Sequence, residues 1–393
     1  MSSWLQRVYN ASSVDLHTVV LHNTNAYVFE SAAANALPSV VFRASNSNLL
    51  KSLTVNETIN DDGDVVLTVD VASPPSERIQ GEYFIDVYMP PQSLQHLYAS
   101  TAFDTVVYPN VLGVSAVNDV SVVSSGSGTI IVETPAIEAH HFRLETRGSG
   151  LIQFSIDEYL VAGEVTLVSV DAGSIALLAG NTTTNTVTAM TAGTGSIYVG
   201  RDGSHMLSTI ALNGRTYGDG DIVFSNVGQC HLGQFRSNGR GNIFANSMDC
   251  HTTTAGVFDK GDIYLKAYCT LSTTDDGAGT VFAELNENVT VKGLYAPLPD
   301  VVPAPFFSSF IMPDHHPLDY LPEAPTGQDD RGPTTSSTAT AQAAVFLLAV
   351  AMSVAAVIAL AVYKFKKSRR SPTKNDLSFA KVSTPKESTT LAM

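Results

Sequence analysis

Between Gly126 and Ala283 the chain repeats one pattern, a glycine-bearing turn followed by a short apolar run led by a β-branched residue. The second glycines of these turns stand at 128, 150, 173, 195, 220, 241, 261 and 279, so successive copies are 22, 23, 22, 25, 21, 20 and 18 residues apart. Two residues beyond each comes Ile130, Ile152, Ile175, Ile197, Ile222, Ile243, Ile263 or Val281. Runs such as Ile130-Ile131-Val132, Ile197-Tyr198-Val199 and Ile222-Val223-Phe224 have the composition of strands. One such unit cannot bury its apolar face alone, whereas stacked copies bury a continuous column with strands about 4.7–4.9 Å apart. The pattern predicts an all-β chain, a parallel β-helix or β-solenoid with rungs of about 18–25 residues. Each repeat glycine is expected to make a corner through its access to positive φ.

Upstream, the apolar runs Val19-Val20-Leu21, Tyr27-Val28-Phe29 and Val40-Val41-Phe42 lack glycine punctuation and read as strands that start the body. Leu53 to Val71 reads as a two-stranded unit turning at Asn60-Asp-Asp-Gly63. Tyr83 to Tyr88, Thr105 to Tyr108 and Val120 to Val123 are further strands leading into the repeats. Beyond Val291 the periodicity stops, and clustered prolines predict an extended, semi-rigid stalk. The expected organisation is an N-terminal β region over 1–82, the solenoid over 83–291, a Pro/Ser/Thr-rich stalk over 292–342, a membrane helix over 343–363 and a basic disordered tail over 364–393.

Ala343 to Tyr363 is an uncharged apolar run of 21 residues, long enough to cross a bilayer as a helix. Lys364-Phe-Lys-Lys-Ser-Arg-Arg370 follows it, which places that end in the cytoplasm and the body on the cell surface. The first twenty residues contain no continuous apolar core of a signal peptide, so either a secretory leader is expected upstream of this sequence, the reading the basic cluster beyond the span favours, or the chain inserts post-translationally with its body in the cytosol. Of the 22 basic and 37 acidic residues, eight and two lie beyond residue 363, leaving 14 against 35 and a net charge of −21 before the tail. An acidic body of this size argues against nucleic acid or an anionic membrane surface as its partner.

A strand ending in a Pro-containing turn and Leu (Ile85-Asp-Val-Tyr-Met-Pro-Pro-Gln-Ser-Leu94), then Leu97-Tyr-Ala-Ser-Thr, then serial Gly-Ser-Gly-X-Ile units, resembles the auto-transporter adhesin head GIN family. The resemblance covers about residues 40 to 290. It implies an all-β, solenoid-like head at the cell surface with an adhesive role and no catalytic residues. A membrane helix and basic tail depart from the bacterial pattern of that family.

Cys230, Cys250 and Cys269 follow their rungs' second glycines by 10, 9 and 8 residues, so they fall on neighbouring rungs. Either Cys230–Cys250 or Cys250–Cys269 can form a disulfide, or all three can form a reduced interior ladder; with three thiols one stays free in any case. His231 and His251 follow two of the cysteines, but neighbours on a strand point to opposite faces, so the sequence supports no Cys/His zinc site. The pairs His140-His141 and His315-His316 read as solvated turn and stalk residues. Asp221 and Asp262 occupy one column two rungs apart, roughly 9–10 Å, which is near the separation of an inverting glycosidase pair. Turn chemistry explains the same aspartates without catalysis or calcium. The sequons at Asn10, Asn56, Asn181 and Asn288 precede the apolar run and are candidate N-glycosylation sites. No catalytic residue, cofactor or metal is assigned. The expected function is a non-enzymatic, single-pass surface protein whose head binds an extracellular glycan or protein. The alternatives are a polysaccharide-active hydrolase or lyase on the same scaffold and a structural coat protein.

Overall fold

The computed structural model describes residues 4–33, 36–60, 63–71, 81–201 and 205–320. They form a parallel β-solenoid of about nine turns. Ile130, Ile152, Ile175, Ile197, Ile222, Ile243, Ile263 and Val281 lie opposite one another on successive rungs. None of the eight is more than 1% exposed. Burying one such side chain stabilises a fold by about 1.5–3 kcal/mol, so this column is a principal part of the core.

A complete rung is shown by Ile130–Thr146, whose neighbour is Ile152–Ser169. Its first side ends at an irregularity between Thr134 and Ala136, where Pro135 cannot donate a ladder hydrogen bond. The second side ends at a corner where two consecutive side chains face outward. His140 and His141 sit there between buried Ala139 and Phe142, and Asn185 and Thr186 sit there between buried Thr184 and Val187. The third side runs to Thr146 and into the glycine turn.

The repeat glycines do not work as expected. Among the described residues the positive-φ glycines are Gly63, Gly81, Gly200 and Gly293, and none belongs to the repeat. What the repeat requires is close approach: a Cβ on Gly241 would lie 2.0 Å from the carbonyl oxygen of Gly220 on the rung before it. Inside the turn, a register column of fully buried hydroxyl residues satisfies the glycine carbonyls. Ser169 donates to the oxygen of Gly173 (2.6 Å), Thr191 to Gly220 (3.0 Å) and Thr216 to Gly241 (3.1 Å).

The parallel ladder already includes Leu16–His22 and Ala26–Glu30, upstream of the glycine pattern. Their other edges carry Val65–Val71 and Gly81–Met89, which come later in the chain, so the end of the stack is closed by chain that returns past its own start. Antiparallel strands Ser39–Ala44 and Leu53–Ile59 flank that end. The short helix Ser47–Ser52 buries Leu49 there, its N-terminus capped by Asn46, whose side-chain oxygen accepts from the amides of Asn48 (3.1 Å) and Leu49 (2.9 Å). The hairpin turn ends at Gly63 with φ +92°.

Residues 293–320 do not stand away from the body as a stalk. They fold back along the solenoid as a strap, because apolar residues between the prolines have a face to cover, as described below. The rest of the expected stalk (321–342), the apolar run 343–363 and the tail 364–393 lie outside the described residues. Among the described residues no helix is long and apolar enough to cross a membrane.

Candidate functional site

On the first side of each rung the middle residue of the apolar triplet points away from the core. In register these are Tyr27, Val106, Ile131, Gln153, Ala176, Tyr198, Val223, Phe244, Tyr264 and Phe282. Nine of the ten are apolar or aromatic on an outward face, and the strap covers them. Phe244, Tyr264 and Phe282 stack with centroids 4.9 Å apart and near-parallel rings, and Leu298 and Val302 pack on them. Phe307 sits 5.2 Å from Tyr198. Gln153, the one amide in the column and 1% exposed, pins the strap: its Nε2 donates to the carbonyl of Phe310 (2.8 Å) and its Oε1 accepts from the amide of Phe310 (2.6 Å).

The far end of the strap reaches the cap. His315, expected to be solvated, packs edge-on against Tyr27 at 4.6 Å, and its Nε2 lies 2.7 Å from Asp86 Oδ1. The Asp86 side chain is fully buried, and Arg43 holds its other oxygen. Leu318–Tyr320 then pairs antiparallel with Gly81–Tyr83.

Between the contacts of Phe307 and Phe310 the strap bridges a cleft of about 390 Å³. Tyr198, Phe306, Phe307 and Phe310 supply aromatic surface to it, and Glu133, Arg201, Ser155 and Ser225 supply polar groups. Phe306 is 72% exposed and Phe310 55%, far more than a ring kept for packing. Gly200 directs Arg201 there: with φ +115° it turns the chain against buried Asn226, whose Oδ1 would be 2.0 Å from any Cβ at 200. The Arg201 guanidinium also pairs with Asp157 at 2.9 Å. Flat apolar faces beside hydroxyl, carboxylate and guanidinium groups suit a ligand that is itself apolar on its faces and polar on its edges.

Asp221 and Asp262 belong to a ladder in which a side-chain oxygen on one rung accepts the backbone amide of the next. Asp221 accepts from Asn242 (2.7 Å), Asn242 from Asp262 (2.8 Å) and Asp262 from Thr280 (2.7 Å). Ser174 and Ser196 extend it upstream at 3.1 Å each. Burial pushes the Asp221 carboxyl up from its ordinary value, against the hydrogen bonds from Asn242. Each carboxylate thus serves the ladder as an acceptor through its Oδ1.

Cys230 and Cys250 oppose each other in register and are joined as a disulfide. Cys269 is a half-buried free thiol, because Cys250 faces Ala267 and an extra residue before Thr270 shifts Cys269 out of the column. His231 and His251 stack on the outside at 5.3 Å while the cysteines face in. Asn10, Asn56, Asn181 and Asn288 are all exposed. The strap cleft was missed in the sequence. Its signal was two-fold: triplets with no polar alternation, and Phe306, Phe307, Phe310 and Ile311 among the prolines.

No family model and no curated protein matches the chain. Among solved structures it is similar to a candidate adhesin of Bacteroides fragilis at 15% identity and TM-score 0.41, over 72% of this chain and 98% of that one. A candidate adhesin of Parabacteroides distasonis is 14% identical with TM-score 0.43, again over 72% and 98%. A candidate lipid-binding protein of Parabacteroides distasonis is 14% identical with TM-score 0.33, over 75% and 97%. Likeness at this level assigns the chain to no family.

Proposed function

We propose that the protein is a surface-displayed, non-enzymatic binding protein that takes a glycan in the strap cleft. The observation that carries this reading is the cleft itself, where exposed aromatic rings of the strap face Tyr198 and a charged rim on the rung ladder. A sugar ring has apolar CH faces and hydroxyl edges, and the cleft offers partners for both. The resemblance of Ile85 to Leu94 and the Gly-Ser-Gly units to the adhesin head family agrees with an adhesive role. The occupied carboxylates at Asp221 and Asp262 weaken the enzyme reading. Display at the plasma membrane follows from the apolar run 343–363 and the basic cluster after it, with the body outside, the tail in the cytoplasm and sugars on the exposed sequons.

The test is binding of the purified full-length protein to an immobilised glycan panel, alongside Tyr198→Ala and Phe306→Ala. Each truncation is expected to weaken binding by about 1–2 kcal/mol, about five- to thirtyfold in Kd. No binding across the panel, or binding that both variants retain in full, overturns the proposal. Protease treatment of intact cells tests the display: a body shielded until lysis places it on the other side of the membrane.

A further inference from the structure

The outward corner that separates the second and third sides of each rung brings together residues that a regular strand would keep apart. Asp119, His141 and Glu164 are in register on three successive rungs, since Val120 faces Phe142 and His141 faces Glu164. His140 stands beside His141 on the same exterior, because both corner residues face outward; their ring centroids are 4.0 Å apart. The objection that sequence neighbours on a strand point to opposite faces does not apply at this corner.

We propose that Asp119, His140 and His141 bind a divalent first-row transition metal such as zinc, with Glu164 orienting His141. Nδ1 of His141 lies 2.9 Å and Nδ1 of His140 3.6 Å from the same oxygen, Oδ1 of Asp119. A tetrahedral zinc with bonds of about 2.0–2.1 Å holds its ligand atoms about 3.3–3.4 Å apart, between the two observed distances. Among the described residues this is the one trio of His, Cys, Asp or Glu side chains whose ligand atoms converge within 4.8 Å. The other nitrogen of His141, Nε2, lies 3.8 Å from Glu164 Oε2. With a metal on Nδ1 the ring would keep its proton on Nε2, on the side of that carboxylate, and a small turn of the Glu164 side chain would close the hydrogen bond that fixes the tautomer of a metal-bound histidine. The backbone amide of His141 donates to the Asp119 oxygen at 3.2 Å and holds the carboxylate at the corner.

Two imidazoles and one carboxylate favour zinc, copper or nickel over calcium and magnesium, which require oxygen donors. The next rung places Gly163 beside His140, where a Cβ would lie 2.7 Å from the His140 carbonyl oxygen, so a glycine lets the two rungs stack closely at this corner. Three protein ligands leave a fourth position for water or for a donor from a bound partner. His140 also lines a shallow groove with Val161, Thr183, Asn185 and Ser208, so such a donor has a surface to lie on.

The test uses the untagged full-length protein, stripped with a chelator and titrated with zinc chloride by calorimetry, with cobalt absorption reporting tetrahedral coordination. Zinc is expected to bind, and calcium chloride is expected not to compete. Asp119→Asn and His141→Gln should each weaken zinc at least tenfold, and Glu164→Gln about tenfold. The paired change His231→Gln and His251→Gln, at the other stacked histidines, should leave affinity unchanged. All the altered side chains are solvent-accessible, and an unchanged circular dichroism spectrum verifies the fold. Zinc protection of His140 and His141 from diethylpyrocarbonate in the unmodified chain asks the same question without a variant. The proposal is overturned if the stripped protein takes up no zinc, if Asp119→Asn and His141→Gln bind it as the unmodified chain does, or if zinc leaves both histidines reactive.

Discussion

Asp221 is held between two opposing influences, burial that disfavours its charge and the Asn242 hydrogen bonds that favour it, and burial prevails. A carboxyl whose folded pKa lies above its unfolded value binds its proton more tightly when folded. Its charge therefore weakens the fold at neutral pH, and that loss is recovered as pH falls through the folded value and then the unfolded one. Asp221→Asn keeps an oxygen for the Asn242 amide and removes the charge. The expected outcome is a urea midpoint at neutral pH equal to or above that of the unmodified protein, with the difference vanishing toward acid pH. Asp221→Ala leaves a buried amide without its acceptor and should cost about 1–3 kcal/mol at every pH. The sequence shows the position of this column and of the glycines beside it, but not their physical cause. Corner position says nothing about whether a glycine is there for its φ or for the carbonyl packed 2.0 Å from where its Cβ would be. The Ser/Thr column at Thr146, Ser169, Thr191, Thr216 and Ser237 is equally regular in the sequence. It is hard to see because hydroxyl residues are usually read as turn formers, not as buried donors.

At the scale of the element, the rungs and the strap explain one another. A strand exposed on its outer side alternates apolar and polar residues. Ile130-Ile131-Val132 and Ile222-Val223-Phe224 do not alternate, and such runs require cover on both sides. The prolines of 297–317 correctly indicate extended chain, but extension does not separate a stalk from a strap. Only the apolar residues between them, matched to the apolar outward column, make that distinction. Gln153 fixes the alignment, since its amide is the one side chain in the column able to hold both backbone groups of Phe310. Gln153→Ala leaves those groups unpaired and removes the pin without touching the inward core. The expected result is faster proteolysis and hydrogen exchange over 305–316, with the rungs Ile152–Ser169 and Ile175–Thr191 still protected. Equal protection of the strap in both proteins would show that packing alone sets its position.

At the scale of the molecule, a stack of rungs is close to one-dimensional, with stability a sum of units and neighbour interfaces. The described body adds two ties that such a sum lacks. One is the Cys230–Cys250 disulfide, which closes a loop of 20 residues and joins adjacent rungs. Chain-entropy reasoning gives about 3 kcal/mol for a loop of that length. The other is the strap, which touches Tyr264 near one end of the stack and Tyr27 near the other. Removing the disulfide by the paired change Cys230→Ala and Cys250→Ala should therefore loosen Val227–Ser237 and Ile243–Val257 first. The strap over Phe244 and Tyr264 should loosen with them, because its first anchors rest on those rungs. Leu16–His22 and His96–Ser100, distant along the stack and closed by the cap, should keep their protection. Hydrogen exchange resolved by segment measures this directly: a loss confined to the disulfide rungs and 298–310 supports a locally coupled stack. A uniform loss from Leu16 to Leu285 would mean instead that the strap makes the whole body a single cooperative unit.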